Sequence, residues 1–143
     1  MRPPVVVDTN VVVAGLITGA KESPVVVILD AMLSGQLLYL LSPALLAEYR
    51  AVLLRPKLTA LHGLVVADVD QLLVELTANG IWREPAAAPH APDRNDDHLW
   101  ELLHDFPGSA LITGDRLLQE KPPAGISVIS PSAWIHGIAS SLQ

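Results

Sequence analysis

A chain of 143 residues, half of them hydrophobic, has the length for one folded domain and the apolar content for a real core, which excludes a disordered protein. Nine Lys/Arg against fifteen Asp/Glu leave a net charge of −6, which argues against a protein that holds nucleic acid through a broad basic face. The absence of cysteine excludes disulfides and thiolate metal sites. No apolar run approaches a bilayer span and no export signal is legible at the N-terminus, so the expectation is a single cytoplasmic domain over residues 1–143 with no membrane contact.

In chain order, Val5-Val6-Val7 behind Pro3-Pro4 reads as a short strand buried on both faces, and Asp8 follows where that strand should end. Val11 to Ile17 is apolar enough to be buried. Ser23-Pro24 opens a helix through Leu33, with Gly35 as its stop. Leu37 to Leu41 reads as a second buried strand, and Ser42-Pro43 launches a helix through Glu48 to about Arg55. A short helix with a turn at Gly63 follows. Asp68 with Gln71 resembles a capping-box start for a helix on which Val69, Leu72, Leu73 and Leu76 share one side, closed by Asn79-Gly80. Ile81-Trp82-Arg83 is a short strand, and Glu84 to Pro92 a rigid loop. Asn95 or Asp96 starts a helix with Leu99, Trp100, Leu102 and Leu103 turned inward. Ala110 to Thr113 is another buried strand with Gly114-Asp115 at its carboxyl end, Ile126 to Ile129 the last strand, and Ser130-Pro131 opens a closing helix bearing Trp134, Ile135 and Ile138. Strands alternating with helices imply a parallel sheet covered by helices on both faces.

Acidic residues recur at the junctions of these elements. Asp8 and Asp115 stand just past strand ends, where ligands bind in open parallel sheets, Glu48 is isolated on a largely apolar helix, and Asp93, Asp96 and Asp97 cluster before a helix. Carboxylates are the hard oxygen ligands that Mg²⁺ and Mn²⁺ prefer, and several converging on one point repel one another unless cations lie between them. Such a site suits phosphodiester cleavage by a metal-activated water. Bound divalent cations would also reverse the local charge that the composition advertises.

Val-Val-Asp8-Thr-Asn10, the isolated Glu48, Asp93-Arg-Asn-Asp96-Asp97-His-Leu and Leu-Ile-Thr113-Gly-Asp115, in this order and spacing, resemble the PIN-domain family, most closely the bacterial PIN-type toxins of toxin–antitoxin pairs. The resemblance spans essentially the whole chain. It implies a three-layer α/β/α fold around a roughly five-stranded parallel sheet, and an Mg²⁺- or Mn²⁺-dependent ribonuclease site at the carboxyl ends of the strands. Carried over residue by residue, Asp8, Glu48, Asp97 and Asp115 match the catalytic, metal-holding acidic quartet, while Asn10 and Thr113 match the polar residues that orient ligands or water. Asp96 takes the place of Asp97 if the register is off by one, and Asp93 is a secondary ligand or a cap. Trp100, Leu102 and Leu103 depart from the small residues usual after that aspartate. Arg50, Arg55, Arg94 and Arg116 flank the acids and are candidates for RNA phosphate contacts. The resemblance further implies a protein antitoxin and a homodimer.

Each acid also has a plain structural explanation. Asp8 would cap a helix or terminate its strand, Glu48 would be a solvated helix residue, the clustered aspartates would cap a helix, and Asp115 would be a turn residue. Four such accidents in this order are improbable. His98, His104 and His136 read as surface or packing residues, and no H-E-x-x-H spacing is present. Trp82, Trp100 and Trp134 read as core or interface anchors. The leading expectation is an endoribonuclease acting on single-stranded RNA, with a catalytically weak PIN-like module that binds metal or a partner as the alternative. A receiver-type phosphoacceptor fits poorly, since Lys121 stands in a Pro-rich loop. A haloacid-type phosphotransferase fits poorly too, since Asp8 is followed by Thr9-Asn10 with no second aspartate.

Overall fold

A computed structural model describes residues 3–85 and 97–141 and, among them, the strands β1 (Val5–Val7), β2 (Leu40–Leu41), β3 (Ile81–Trp82), β4 (Ala110–Ile112) and β5 (Ser127–Ile129). The helices are α1 (Thr9–Ile17), α2 (Pro24–Leu33), α3 (Pro43–Leu53), α4 (Pro56–His62), α5 (Val66–Asn79), α6 (Asp97–Asp105), α7 (Arg116–Glu120) and α8 (Pro131–Ser141). Every strand pairing is parallel: β1 lies beside β4 and β4 beside β5, while β2 and β3 form a separate pair. One parallel bridge, Val5 to Tyr39, with the Val5 N–H donating to the Leu38 carbonyl at 3.0 Å, links the two sets. The expected sheet of roughly five strands is thus a three-stranded sheet with a two-stranded pair beside it. The second strand is shorter than the apolar run from Leu37 because the N–H groups of Gln36 and Leu37 turn back to the Ala31 carbonyl and close α2, which takes them out of any ladder.

Caps written into the sequence set most helix boundaries. Ser42 Oγ accepts from the Leu45 N–H at 3.1 Å and Ser130 Oγ from the Ala133 N–H at 3.0 Å, each with proline as the next residue. Ser23 caps no N–H with its side chain, so Pro24 and burial of Ile28, Leu29 and Met32 carry that start. Asp68 is not the cap of α5; it lies inside the first turn and reaches back to the Val65 N–H at 3.2 Å, the acid half of a capping box displaced by one turn. Pro56 both lies beyond the end of α3 at Leu53 and opens α4 as its first residue. The region from Thr9 to Ile17 is helical, packed so closely on α2 that a Cβ at Gly15 would lie 2.9 Å from the Val25 carbonyl oxygen. The core gathers the valines of β1, the inner face of α5 and Leu99, Trp100, Leu102 and Leu103 of α6, as the apolar spacing predicts. Of the other tryptophans, Trp134 is half-buried against this core and Trp82 is exposed on β3. The loop expected over Glu84 to Pro92 falls mostly outside the described residues, as do Asn95 and Asp96, where a helix start was expected, and the side chain of Ile138.

Candidate active site

Asp8 does both of the plain things expected of it. Its N–H donates to the Ile112 carbonyl at 2.9 Å, extending the β1–β4 ladder by one rung, and its Oδ1 caps α1 by accepting from the Thr9 N–H at 2.8 Å. The other oxygen is left for the site. Oδ2 accepts from the Thr113 hydroxyl at 2.8 Å and more weakly from Asn10 Nδ2 at 3.4 Å. Thr113 is fully buried and spends its whole bonding capacity here, since its Oγ1 also accepts from Asn10 Nδ2 at 3.2 Å and from the Asp115 N–H at 3.0 Å. Asn10 Oδ1 in turn accepts from the Gly114 N–H at 2.9 Å. Asn10 and Thr113 therefore lock the end of β1 to the end of β4 and fix both carboxylate-bearing junctions at one sheet edge.

The third acid comes from α3. Tyr49 is fully buried and donates its hydroxyl to the Val7 carbonyl, which pins α3 against the last residue of β1 and turns its neighbour Glu48 toward Asp8. The Thr9 hydroxyl donates to Glu48 Oε2, and His98 Nε2 lies 3.5 Å from the same oxygen. Asp115 caps α7, its Oδ1 accepting from the N–H groups of Leu117 and Leu118 at 2.9 and 3.3 Å. Asp8, Asn10, Glu48 and Asp115 line a single open cleft of about 520 Å³, with Thr9, Arg55 and an apolar wall that includes Ile17, Val52 and Leu118.

The charges in this cleft are unequally compensated. Burial pushes the Asp8 carboxyl above the usual carboxylate range, with Glu48 and Asp115 adding to the effect, while the hydrogen bonds from Thr113 and Thr9 oppose it without prevailing. Glu48 moves the other way: the His98 imidazole beside it holds it low, with help from the Thr9 hydroxyl and the charge of Arg55, against the cost of its own burial.

The remaining expected site residues divide. Asp97 opens α6, next to His98, and its side chain lies outside the described residues, as do Asp93, Arg94 and Asp96 altogether. Arg50 is not in the cleft. Two positions after Glu48 on a helix, it projects from another face and pairs with Asp70 of α5 at 2.8 Å. Arg116 is exposed on α7 without lining the cleft. Thr9 and His98 belong to the site although the sequence reading passed over them. Thr9 directly follows Asp8, so a hydroxyl at the first position of a capped helix was the available signal. His98 follows Asp97 and was read as a packing residue.

The chain matches the PIN-domain model over residues 4–117, which contains every residue lining the cleft except Leu118. The chain belongs to the PIN-domain family. No curated protein matches it closely enough to narrow that assignment. PIN domains are generally nucleases and typically use divalent metals. In this PIN domain, no group of three acids or histidines among the described residues is drawn together tightly enough to enclose a metal ion. Within the cleft Glu48 is held by Thr9 and His98, and Asp115 by its helix cap. The donor set nonetheless fits a hard divalent cation. Asp8, Glu48 and Asp115 all offer oxygen to one cleft, and Asp8 carries a half-buried negative charge that its protein partners leave undercompensated.

Proposed function

We propose that the protein is a metal-dependent endoribonuclease that cleaves single-stranded RNA at this cleft. The observation that supports it above others is the half-buried Asp8 carboxylate, gathered with Glu48 and Asp115 in an open cleft at the carboxyl ends of parallel strands, its pKa pushed up by desolvation and by those two charges. Asp8, Asp115, Glu48 and Asp97 are the residues that would hold Mg²⁺ or Mn²⁺. When bound, such ions make water nucleophilic near neutral pH and neutralise charge developing on the phosphate. The chain's own contribution is placement. Thr113 and Asn10 fix the rotamer of Asp8, the cap of α7 fixes Asp115, and Thr9 with His98 keeps Glu48 ionised and aimed into the cleft. Attack by water leaves a terminal phosphate and a hydroxyl. Incubating a labelled RNA with the protein and Mn²⁺ and identifying the new ends therefore tests the mechanism, because 2′,3′-cyclic phosphate ends would mean an internal nucleophile and would sink it.

The toxin role, a restraining protein antitoxin and a homodimer follow from the resemblance to PIN-type toxins and belong to the same proposal, and the cytoplasmic setting is proposed with them from the absence of cysteine. Light scattering tests the dimer, and growth arrest on expression, relieved by the chain encoded beside it, tests the toxin role. The alternative is a PIN module that binds metal or a partner but cleaves little. It is favoured by the chain's low basicity, nine Lys/Arg against fifteen Asp/Glu.

A further inference from the structure

We propose that Arg55 grips the substrate's backbone phosphate, and that it works with the apolar wall of Ile17, Val52 and Leu118 as a clamp for one unpaired nucleotide. This rests on the nuclease reading of the same cleft and names how the strand is held there. Among the described residues, Arg55 is the one cation lining the cleft. Arg50 is tied to Asp70 on another face, and Arg83 pairs with Asp105 at 3.2 Å beneath the Phe106 ring. Arg55 is near enough to the acids that its charge contributes to holding Glu48 low.

Its backbone is also unusually well fixed for an exposed residue. Pro56 confines Arg55 to extended geometry, observed at φ −62° and ψ 135°. The Arg55 N–H donates to the Val52 carbonyl at 3.1 Å, and its carbonyl accepts from the Leu58 and Thr59 N–H groups at 2.9 and 3.0 Å. His62 staples the two helices that flank it: the Leu64 N–H donates to Nδ1 at 2.9 Å, which leaves Nε2 to donate to the Leu53 carbonyl at 2.8 Å. The α3–α4 junction is thus a rigid mount whose projecting group is a guanidinium, the side chain whose planar fork matches phosphate oxygens. In the same cleft, the acids and the cations they would hold are left to take the other oxygens of the phosphodiester. The apolar wall offers a base a dry surface that only an unstacked, unpaired base can reach, with Ile17 exposed at its rim.

The test is fluorescence-anisotropy binding of a short labelled single-stranded RNA in Ca²⁺, with gels confirming that it stays intact, over a range of salt concentrations. Arg55→Gln is expected to weaken binding about tenfold, as for one lost charge-assisted contact. It should also flatten the salt dependence by about 0.7 in the log–log slope. Arg55→Lys should keep the slope while losing part of the affinity, and Arg50→Gln should bind as wild type does. Unchanged affinity and slope in a folded Arg55→Gln would overturn the proposal, as would an equal loss in Arg50→Gln or equally tight binding of a duplex of the same sequence. Arg55-dependent binding without any Mg²⁺- or Mn²⁺-dependent cleavage would refute the nuclease reading and leave the binding assignment in place. Cleavage indifferent to Arg55→Gln would do the reverse.

Discussion

Replacing Tyr49 with phenylalanine tests whether one buried hydroxyl couples the fold to the site. Tyr49 has no solvent exposure, and its hydroxyl donates to the carbonyl of Val7, the residue before Asp8. Phenylalanine fits the same space and deletes only that donor. A typical buried hydrogen bond contributes about 1 kcal/mol, and a carbonyl left without its donor in a dry core adds to the loss, so the substitution should cost about 1–2 kcal/mol. For a domain of this size that lowers the melting temperature by roughly 3–8 °C. Calorimetry measures it directly, and urea unfolding should show a lower midpoint with an unchanged slope. The same change should reduce cleavage by more than the small unfolded fraction explains, because the bond also sets how α3 presents Glu48 beside β1. A variant melting within about 1 °C of wild type would show that the hydroxyl is satisfied by other means and that α3 is positioned by packing alone.

Two substitutions should have opposite pH dependence. The Asp8 carboxyl is pushed above its ordinary value of 3.8, chiefly by burial, so its charged form opposes folding; Asp8→Asn should be more stable than wild type at neutral pH, and the gap should close as pH falls through the folded pKa toward 3.8. Glu48 is held below its ordinary 4.5, first by His98, so the stability it contributes is present above that value and lost as pH falls through its folded pKa; Glu48→Gln should be destabilising at neutral pH and indistinguishable from wild type in acid. Urea midpoints across that range check both, and parallel curves for the two variants would contradict the assignment of causes. Gly15→Ala should destabilise even though alanine favours helices by about 1 kcal/mol, because the new Cβ meets the Val25 carbonyl oxygen at 2.9 Å and the side chain of Leu29 at 3.0 Å. A gain in melting temperature there would mean that α1 and α2 separate at little cost.

The strand ends were the most legible part of this chain. Val5-Val6-Val7 before Asp8 and Leu111-Ile112 before Thr113-Gly114-Asp115 announce buried strands followed by polar junctions, and the two strands pair in that register. Ser-Pro pairs at positions 42–43 and 130–131 fixed two helix starts for a local reason that the chain states outright. Harder to read was the start of α4, since proline after a helical stretch marks a stop and a first helical residue alike, and Pro56 is both. The short β2 depended on where the N–H groups of Gln36 and Leu37 would bond, a tertiary outcome. That Asp8, Glu48 and Asp115 would share one cleft was legible from residue type and order, but the sorting of the arginines was not. Arg50 and Arg55 are near neighbours in sequence, yet helix geometry sends one to Asp70 and the α3–α4 junction sends the other into the cleft. His98 was missed because a histidine becomes a site residue only through its partner, and Glu48 is fifty positions earlier in the chain.

The central claim is that Asp8 anchors a metal-dependent nuclease site. Cleavage of labelled single-stranded RNA by the wild-type protein and by Asp8→Asn, in Mg²⁺, in Mn²⁺ and in EDTA, tests it most directly. The account predicts cleavage by wild type with either metal, none in EDTA, and loss of about a hundredfold or more in the folded variant, as expected when a ligand in a charge-stabilising site is removed. Cleavage that survives both EDTA and the substitution, or a folded wild type inert with every metal, would contradict it.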